Sequence, residues 1–488
     1  MILSPAATSL QLDLLSSREV CVTFDGERVV SDTGLLAVRA LDQSLGVLAD
    51  LAARLPDPRS PKFIRHSAEA ILTQEVYQIL AGYPDLHDAD HLRDDPLFQI
   101  LADVAPDPDH PLASGSTLAR FQYAFTRRQA ELPPEERTVL REIDRAQTRR
   151  RRILNDYLVD LFIRTRRQVP TEIILDVDAT DDPTHGQQAL SAYHGYFRQH
   201  QYFPLLIYDG ATGFPLAAWL RPGTVHASCG AADILAALLA RLRAAWPGVR
   251  ITIRADSGLA VPEMYTFCEG HDARYVFGFG TNDVLKRATA QALADVELYY
   301  HFYGRREPHV QRYEEIPGYQ AGTWPHPRRI VAKIEHTAQG SQRRFVVTDR
   351  EEAPAAVYRE WYVPRGGVPE QPIGEMKNGL QADRLSACGF RANAFRLLVH
   401  TVAYALVVLF REAAAAVPEV ATARVSTLRQ RLWKVGAIVR VSARRVWLRV
   451  SATWPGRGMW LRVQEAVRRF VAQVRAGGGA PASAGPAG

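Results

Sequence analysis

Between Thr171 and Gly186 the chain reads TEIILDVDATDDPTHG, and this stretch constrains the fold more than any other. Ile173, Ile174, Leu175 and Val177 form an apolar run short enough for a buried strand. Yet Asp176 and Asp178 stand within it, and Asp181 and Asp182 follow directly. A buried carboxylate costs several kcal/mol unless it is paired, hydrogen-bonded or bound to a metal. A fold that accepts this strand must therefore supply a partner for its acids.

The surrounding periodicity gives the strand its neighbours. YFPLLIYDGATGFPLAAWL predicts two strands joined by a turn at 209–213. GAADILAALLARLRAAW predicts an amphipathic helix ended by Pro247-Gly248. VRITIRADSG is a further strand, VPEMYTFCEGHD a helix and RYVFGFG another strand. Three hairpin-linked strands followed by crossover units imply a mixed sheet with helices packed on it. Asp256, in IRADSG, falls at the end of the fourth strand. Because residues i and i+2 share a face, Asp176 and Asp178 point the same way. Acids ending neighbouring strands can converge, and a pair of divalent cations removes their repulsion. Taken singly, Asp178 and Asp256 also fit the simpler role of turn acids.

Around this core the chain divides by pattern. Residues 1–168 are expected to be mainly helical, with Thr33 an N-cap before a helix and Ser116 or Thr117 capping another that carries Arg120, Arg127 and Arg128. Such a helix suits either a DNA surface or an ordinary solvated face. Residues 169–280 hold the strands and helices of the mixed sheet. Residues 281–365 form a β-rich insertion, with RRIVAKIEH and RRFVVTDR as a hairpin. Helical pattern returns over 366–415, a basic region covers 416–475, and 476–488 is a disordered tail. The 14-residue apolar run 397–410 includes His400 and is too short to span a bilayer, so a buried helix is expected, with no membrane contact and a cytoplasmic location.

The overall charge is +6, but it is unevenly placed. Residues 424–475 hold 13 basic residues and one acid, Glu465, a net of +12. The rest, 46 basic against 52 acidic residues, is net −6. A basic segment on a mildly acidic chain points to a polyanion partner, with Arg444 and Arg445 as candidates, or to a solvated arginine-rich surface. The four cysteines, Cys21, Cys229, Cys268 and Cys388, show neither CxxC nor zinc spacing. No P-loop, HExxH or dinucleotide fingerprint competes.

A further acidic stretch follows the β-rich segment. In YVPRGGVPEQPIGEMK, two residues lie between Tyr362 and Arg365, and six between Glu370 and Lys377. On a regular helix positions i and i+7 lie two turns apart on one face, so Glu370 can face a metal while Lys377 meets a phosphate. Glu375 points away and is the alternative third acid. With the strand acids, this text resembles the DDE transposases of bacterial insertion sequences. The likeness is closest to the cut-and-paste branch, which carries a Tyr-x2-Arg-x3-Glu-x6-Lys signature after a β-rich insertion. GYPDLHDADHLRDDPL, LDVDATDDPTHGQQ, RADSG, KNGLQADRLS and ANAFRLLVHTVAYAL extend the likeness along the chain. The chain departs from the signature by one extra residue between Arg365 and Glu370.

The resemblance implies an α/β ribonuclease-H-like catalytic core with a β-rich insertion, a helical N-terminal region and a basic C-terminal region. It implies two Mg²⁺, with Mn²⁺ able to substitute, on Asp178, Asp256 and Glu370. Tyr362, Arg365 and Lys377 would position DNA phosphates. Transposon-end and target DNA would be the partners, and a homodimer would form the synaptic complex. Asp176 would be hydrogen-bonded within its strand, Asp181 and Asp182 would shape the turn, and His185 would be a turn histidine. Two alternatives stay open: a related ribonuclease-H-like nuclease, and a catalytically inactive DNA-binding descendant of a transposase.

Overall fold

The computed structural model describes residues 9–15, 18–55, 57, 59, 61–124, 149–304, 306–364 and 370–477. Its strands in chain order are β1 (Ser9–Leu15), β2 (Arg18–Thr23), β3 (Val29–Val30), β4 (Glu172–Ala179), β5 (Asp182–Pro183), β6 (Ala192–His194), β7 (Gln199–Tyr202) and β8 (Leu205–Asp209). Then come β9 (Pro215–Trp219), β10 (Arg250–Ala255), β11 (Arg274–Phe279), β12 (His309–Tyr319), β13 (Arg328–Thr337), β14 (Gly340–Thr348), β15 (Ala437–Ser442) and β16 (Arg445–Val450).

One eight-stranded sheet organises the molecule, in the order β12-β13-β14-β11-β10-β4-β8-β9. β4 and β10 run parallel, as do β10 and β11, whereas β4, β8 and β9 form an antiparallel meander. The mixed sheet expected from the sequence is thus present. The parallel steps are made by the helices Ala231–Ala245 and Pro262–Gly270. In the first, Leu235, Leu238, Leu239 and Leu242 are buried at the i, i+3, i+4, i+7 spacing of a single helix face. The hairpin expected at 328–348 forms β13 and β14, but β14 pairs with β11. The β-rich segment therefore continues the main sheet.

The N-terminal part contains strands as well as helices: β1 pairs with β2, and β3 pairs with β15 of the C-terminal region. The two ends of the chain also meet at Gly34, where a Cβ would overlap the Leu432 carbonyl, so only glycine permits this approach. The helix that opens at Gly115 has Ser116 and Thr117 inside its first turn. Ser114 contacts both hydroxyls, and the Asp90 carboxylate accepts from the Gly115 N–H (3.0 Å).

The 14-residue apolar run lies within a 24-residue helix, Phe390–Ala413. Its length and composition would allow a membrane crossing, but its apolar window is wholly buried inside the protein. It packs on the helices Ala68–Ala81, Arg149–Thr165 and Arg457–Gly477 and on β9. Beside it, Glu75 of the helix Ala68–Ala81 is buried and accepts a hydrogen bond from Gln122 (2.6 Å). Burial lifts the Glu75 carboxyl to about 7, against the charge of Arg396 and the Gln122 bond. The folded protein therefore keeps a proton that the unfolded chain releases near pH 4.3, and stability from this group falls as pH rises between those values. Glu75→Gln is expected to raise stability by about 3 kcal/mol at pH 8 and to leave it nearly unchanged at pH 4. Urea titrations at the two pH values check this.

Candidate active site

β4 and β10 are paired in parallel with Val177 opposite Ala255. Asp178 and Asp256 are the next residues on each chain, at the carboxyl ends of adjacent strands where open α/β sheets place their ligands. Asp256 keeps an extended backbone (φ −76°, ψ −172°), so the strand alternation carries through it. Neighbouring strands are about 4.8 Å apart, which starts the two side chains from adjacent positions on one face. Both residues are half-buried. Asp256 Oδ1 also accepts from the Gly258 N–H (2.8 Å), which fixes the turn after β10.

One step down the same face, Asp176 lies opposite Arg254 in the register. The guanidinium holds the carboxylate through Nε (2.6 Å) and Nη2 (2.7 Å), with both side chains buried. This corrects the expectation that Asp176 is bonded within its own strand: its partner is on β10. Arg254 Nη1 also donates to the Trp361 carbonyl (3.0 Å), next to Tyr362. A Cβ on Gly210 would come within 2.8 Å of both Arg254 and Asp176, so the pair needs glycine there. Sequence reading missed Arg254. Its only sequence signal is its position two residues before Asp256, on the same face.

Tyr362 ends a π-helical turn, Val357–Tyr362, that is anchored by Val357 and Tyr358 in a small core with Val276, Val331 and Val346. Its ring meets Tyr358 edge-on at 5.6 Å. Its hydroxyl crosses Gly278, where a Cβ would lie 2.6 Å from Tyr362 Oη and 3.2 Å from the Ser257 nitrogen. Tyr362 is thus placed at the turn that carries Asp256.

Lys377 reaches the exit of β4. Its ammonium donates to Asp181 Oδ1 (2.8 Å), to the Asp181 carbonyl (2.8 Å) and to Thr180 (3.4 Å). Burial works to raise the Asp181 carboxyl, but the bond and charge of Lys377 bring it below the usual range. Buried Asp182 is pushed well up by desolvation and by the charge of Asp383. His185 is exposed in the turn before Gly186.

Glu370 opens the helix Glu370–Gly374, with Pro372 in its first turn where the missing N–H is harmless. From Glu375 to Gly379 the backbone is π-helical. Two regular α-turns between Glu370 and Lys377 were expected, but a wider turn intervenes. The helix crosses the end of β8: Tyr208 donates to Met376 Sδ (3.1 Å), and Pro372 packs at the Gly213 turn. Burial, with the charges of Tyr404 and Asp178, pushes the Tyr208 hydroxyl up. Glu375 is held by Arg411 through both oxygens (2.7 Å each), by the Val425 N–H (2.9 Å) and by Tyr404 (3.3 Å). The alternative third acid is therefore occupied by its own ion pair.

Arg127, Arg128 and Arg365 lie outside the described residues, as does the Glu370 side chain. Arg120 is exposed and donates to Thr117 (3.2 Å). Arg444 and Arg445 are exposed at the β15–β16 turn, far in sequence from the acids. Among the described residues no three His, Cys, Asp or Glu side chains gather closely enough to hold a metal. The two strand-end carboxylates are hard oxygen donors of the kind Mg²⁺ and Mn²⁺ take.

Residues 12–472 match the family model for the transposase DDE domain group 1. No curated protein matches the chain. Among solved structures the chain is similar to the piggyBac transposase in a cryo-EM structure of its synaptic complex with hairpin DNA. They share 13% identity over 83% of this chain and 80% of that one, with a TM-score of 0.41. With its model matched across nearly the whole length, the chain belongs to the DDE transposase family.

Proposed function

We propose that the protein is the transposase of an insertion sequence, cutting DNA at the ends of its own element and joining those ends to target DNA. Family membership supports transposition, and one observation carries the mechanism. Asp178 and Asp256 stand side by side at the ends of adjacent parallel strands, with Tyr362 over the second turn and the Lys377 helix against the first strand. The core is read as ribonuclease-H-like, with 169–280 and 366–415 forming it around the 281–365 insertion. Regions 1–168 and 416–475 are its DNA-binding flanks.

Asp178, Asp256 and Glu370 would hold two Mg²⁺, or Mn²⁺ in their place, which when bound supply Lewis-acid polarisation to the attacking and leaving oxygens of a phosphodiester. The chain's own residues hold the DNA in line for the displacement. Water attacks phosphorus at the element end and the 3′-oxygen leaves. The freed 3′-hydroxyl then attacks a target phosphodiester and displaces its 3′-oxygen in turn. Tyr362, Arg365 and Lys377 donate to non-bridging phosphate oxygens. Lys377 is presented by its bond to Asp181, which keeps the ammonium at the end of β4. Two protomers would bridge two ends in a cytoplasmic complex without membrane contact.

The test uses purified chain, Mg²⁺, a DNA fragment carrying the gene's own flanks and a supercoiled target. New 3′-hydroxyl ends at the element boundaries, covalently joined to the target, are expected. Nicks that never yield a joined product would favour the related nuclease, and binding with no nick would favour the inactive descendant.

A further inference from the structure

The basic C-terminal segment folds into an antiparallel two-stranded ribbon, β15–β16, anchored at its base by β3 through the pairs Ala437–Val30 and Ile438–Val29. Directly opposed residues share a face. One face therefore carries Ile438 with Arg449, Arg440 with Trp447, and Ser442 with Arg445. The other carries Val439 with Leu448 and Val441 with Val446, and its base is covered at Ala437 and Val439. The first face is open to solvent: its arginines are exposed, Trp447 is 49% exposed, and the Arg445 guanidinium lies 5.7 Å from the Trp447 ring. Arg444 extends the same charge around the turn. Glu27 offsets part of it by pairing with Arg440 and lying near Arg449.

Edge strands are often charged to prevent pairing with another chain, and β16 is an edge. That role explains the arginines but leaves a large indole in water on the same face. The dimensions indicate a nucleic-acid groove. Six residues span about 20 Å, two strands are about 4.8 Å apart, and a B-DNA major groove about 12 Å wide admits such a ribbon. We propose that β15–β16 enters the major groove of the element's end DNA with the Arg445–Trp447–Arg449 face toward the bases and Arg444 on the backbone. The proposal rests on the transposase reading and names the element of the fold that reads the ends.

The test measures binding of the full chain to a duplex carrying the gene's flanks, across a salt series. The same samples are probed for interference by guanine N7 methylation, a major-groove mark, and for end cleavage with Mg²⁺. Arg445→Ala/Arg449→Ala is expected to weaken binding on the order of 100-fold and to erase interference at guanines that the wild type reads. Arg444→Ala, on the backbone, should lower the salt slope by about 1 and leave the guanine pattern in place. Arg445→Lys/Arg449→Lys should not restore the guanine pattern, because lysine lacks the planar fork. Unfolding curves of the variants should match the wild type, since these side chains are exposed. A wild type that cuts its ends while the double variant binds with unchanged affinity and interference overturns the ribbon proposal and leaves the transposase reading standing. A wild type that neither cuts nor prefers its flanks overturns both.

Discussion

Asp178→Asn and Asp256→Asn should each slow end cleavage by on the order of 10³-fold or more while leaving the fold intact. Each amide keeps the size of the carboxylate and removes the charge on which cation binding depends. Thermal stability should therefore change little. Asn at 256 still accepts from the Gly258 N–H, so the turn after β10 survives. Cleavage rates and unfolding curves taken on the same preparations check both halves. A loss of activity matched by a loss of folding would show that these acids are structural.

Arg254→Met should have the opposite signature, a large loss of stability. The substitution leaves Asp176 buried on β4 without its bidentate partner, and breaking such a pair from one side destabilises by about 3–5 kcal/mol. It also removes the donor to the Trp361 carbonyl, which ties the Tyr362 turn to the sheet. Asp176→Leu combined with Arg254→Met should recover most of the loss, because a buried pair replaced on both sides by apolar groups is often neutral. Denaturant titrations of the two single variants and the double variant give the coupling directly. Additive losses in the double variant would contradict the pairing.

The central part of the eight-stranded sheet was legible in the sequence where one rule acted alone. The apolar run around Leu175, the strand before Asp256 and the leucine face of Ala231–Ala245 each follow from local periodicity, so their order could be read. The Asp176–Arg254 pair could not, because its members are 78 residues apart and meet only once the β4–β10 register is set. The same holds for β14 against β11 and β3 against β15, pairings between segments that share no local signal. The short sheet of β5, β7 and β6 escaped because Asp182–Pro183 and Ala192–His194 are too brief and polar to show alternation. The π turns at Val357–Tyr362 and Glu375–Gly379 shift backbone bonds by one residue without changing composition, so the Glu-x6-Lys spacing was read as regular helix. Of the candidate site, spacing and motif name the two strand acids, Tyr362 and Lys377. The ion pair beneath them, and the engagement of Glu375 by Arg411, emerged only from tertiary contacts.

If Asp178, Asp256 and Glu370 form one metal-dependent cutting centre, substitution of Glu370 alone should abolish cutting. Wild type and Glu370→Gln should be incubated with DNA carrying the gene's own flanks, with and without Mg²⁺, while gel-shift binding is measured in the same samples. The expected result is Mg²⁺-dependent nicking at the element ends by the wild type, lost in the variant with binding preserved. Undiminished nicking by Glu370→Gln would remove Glu370 from the centre, and wild-type binding with no nick at all would leave no cutting centre.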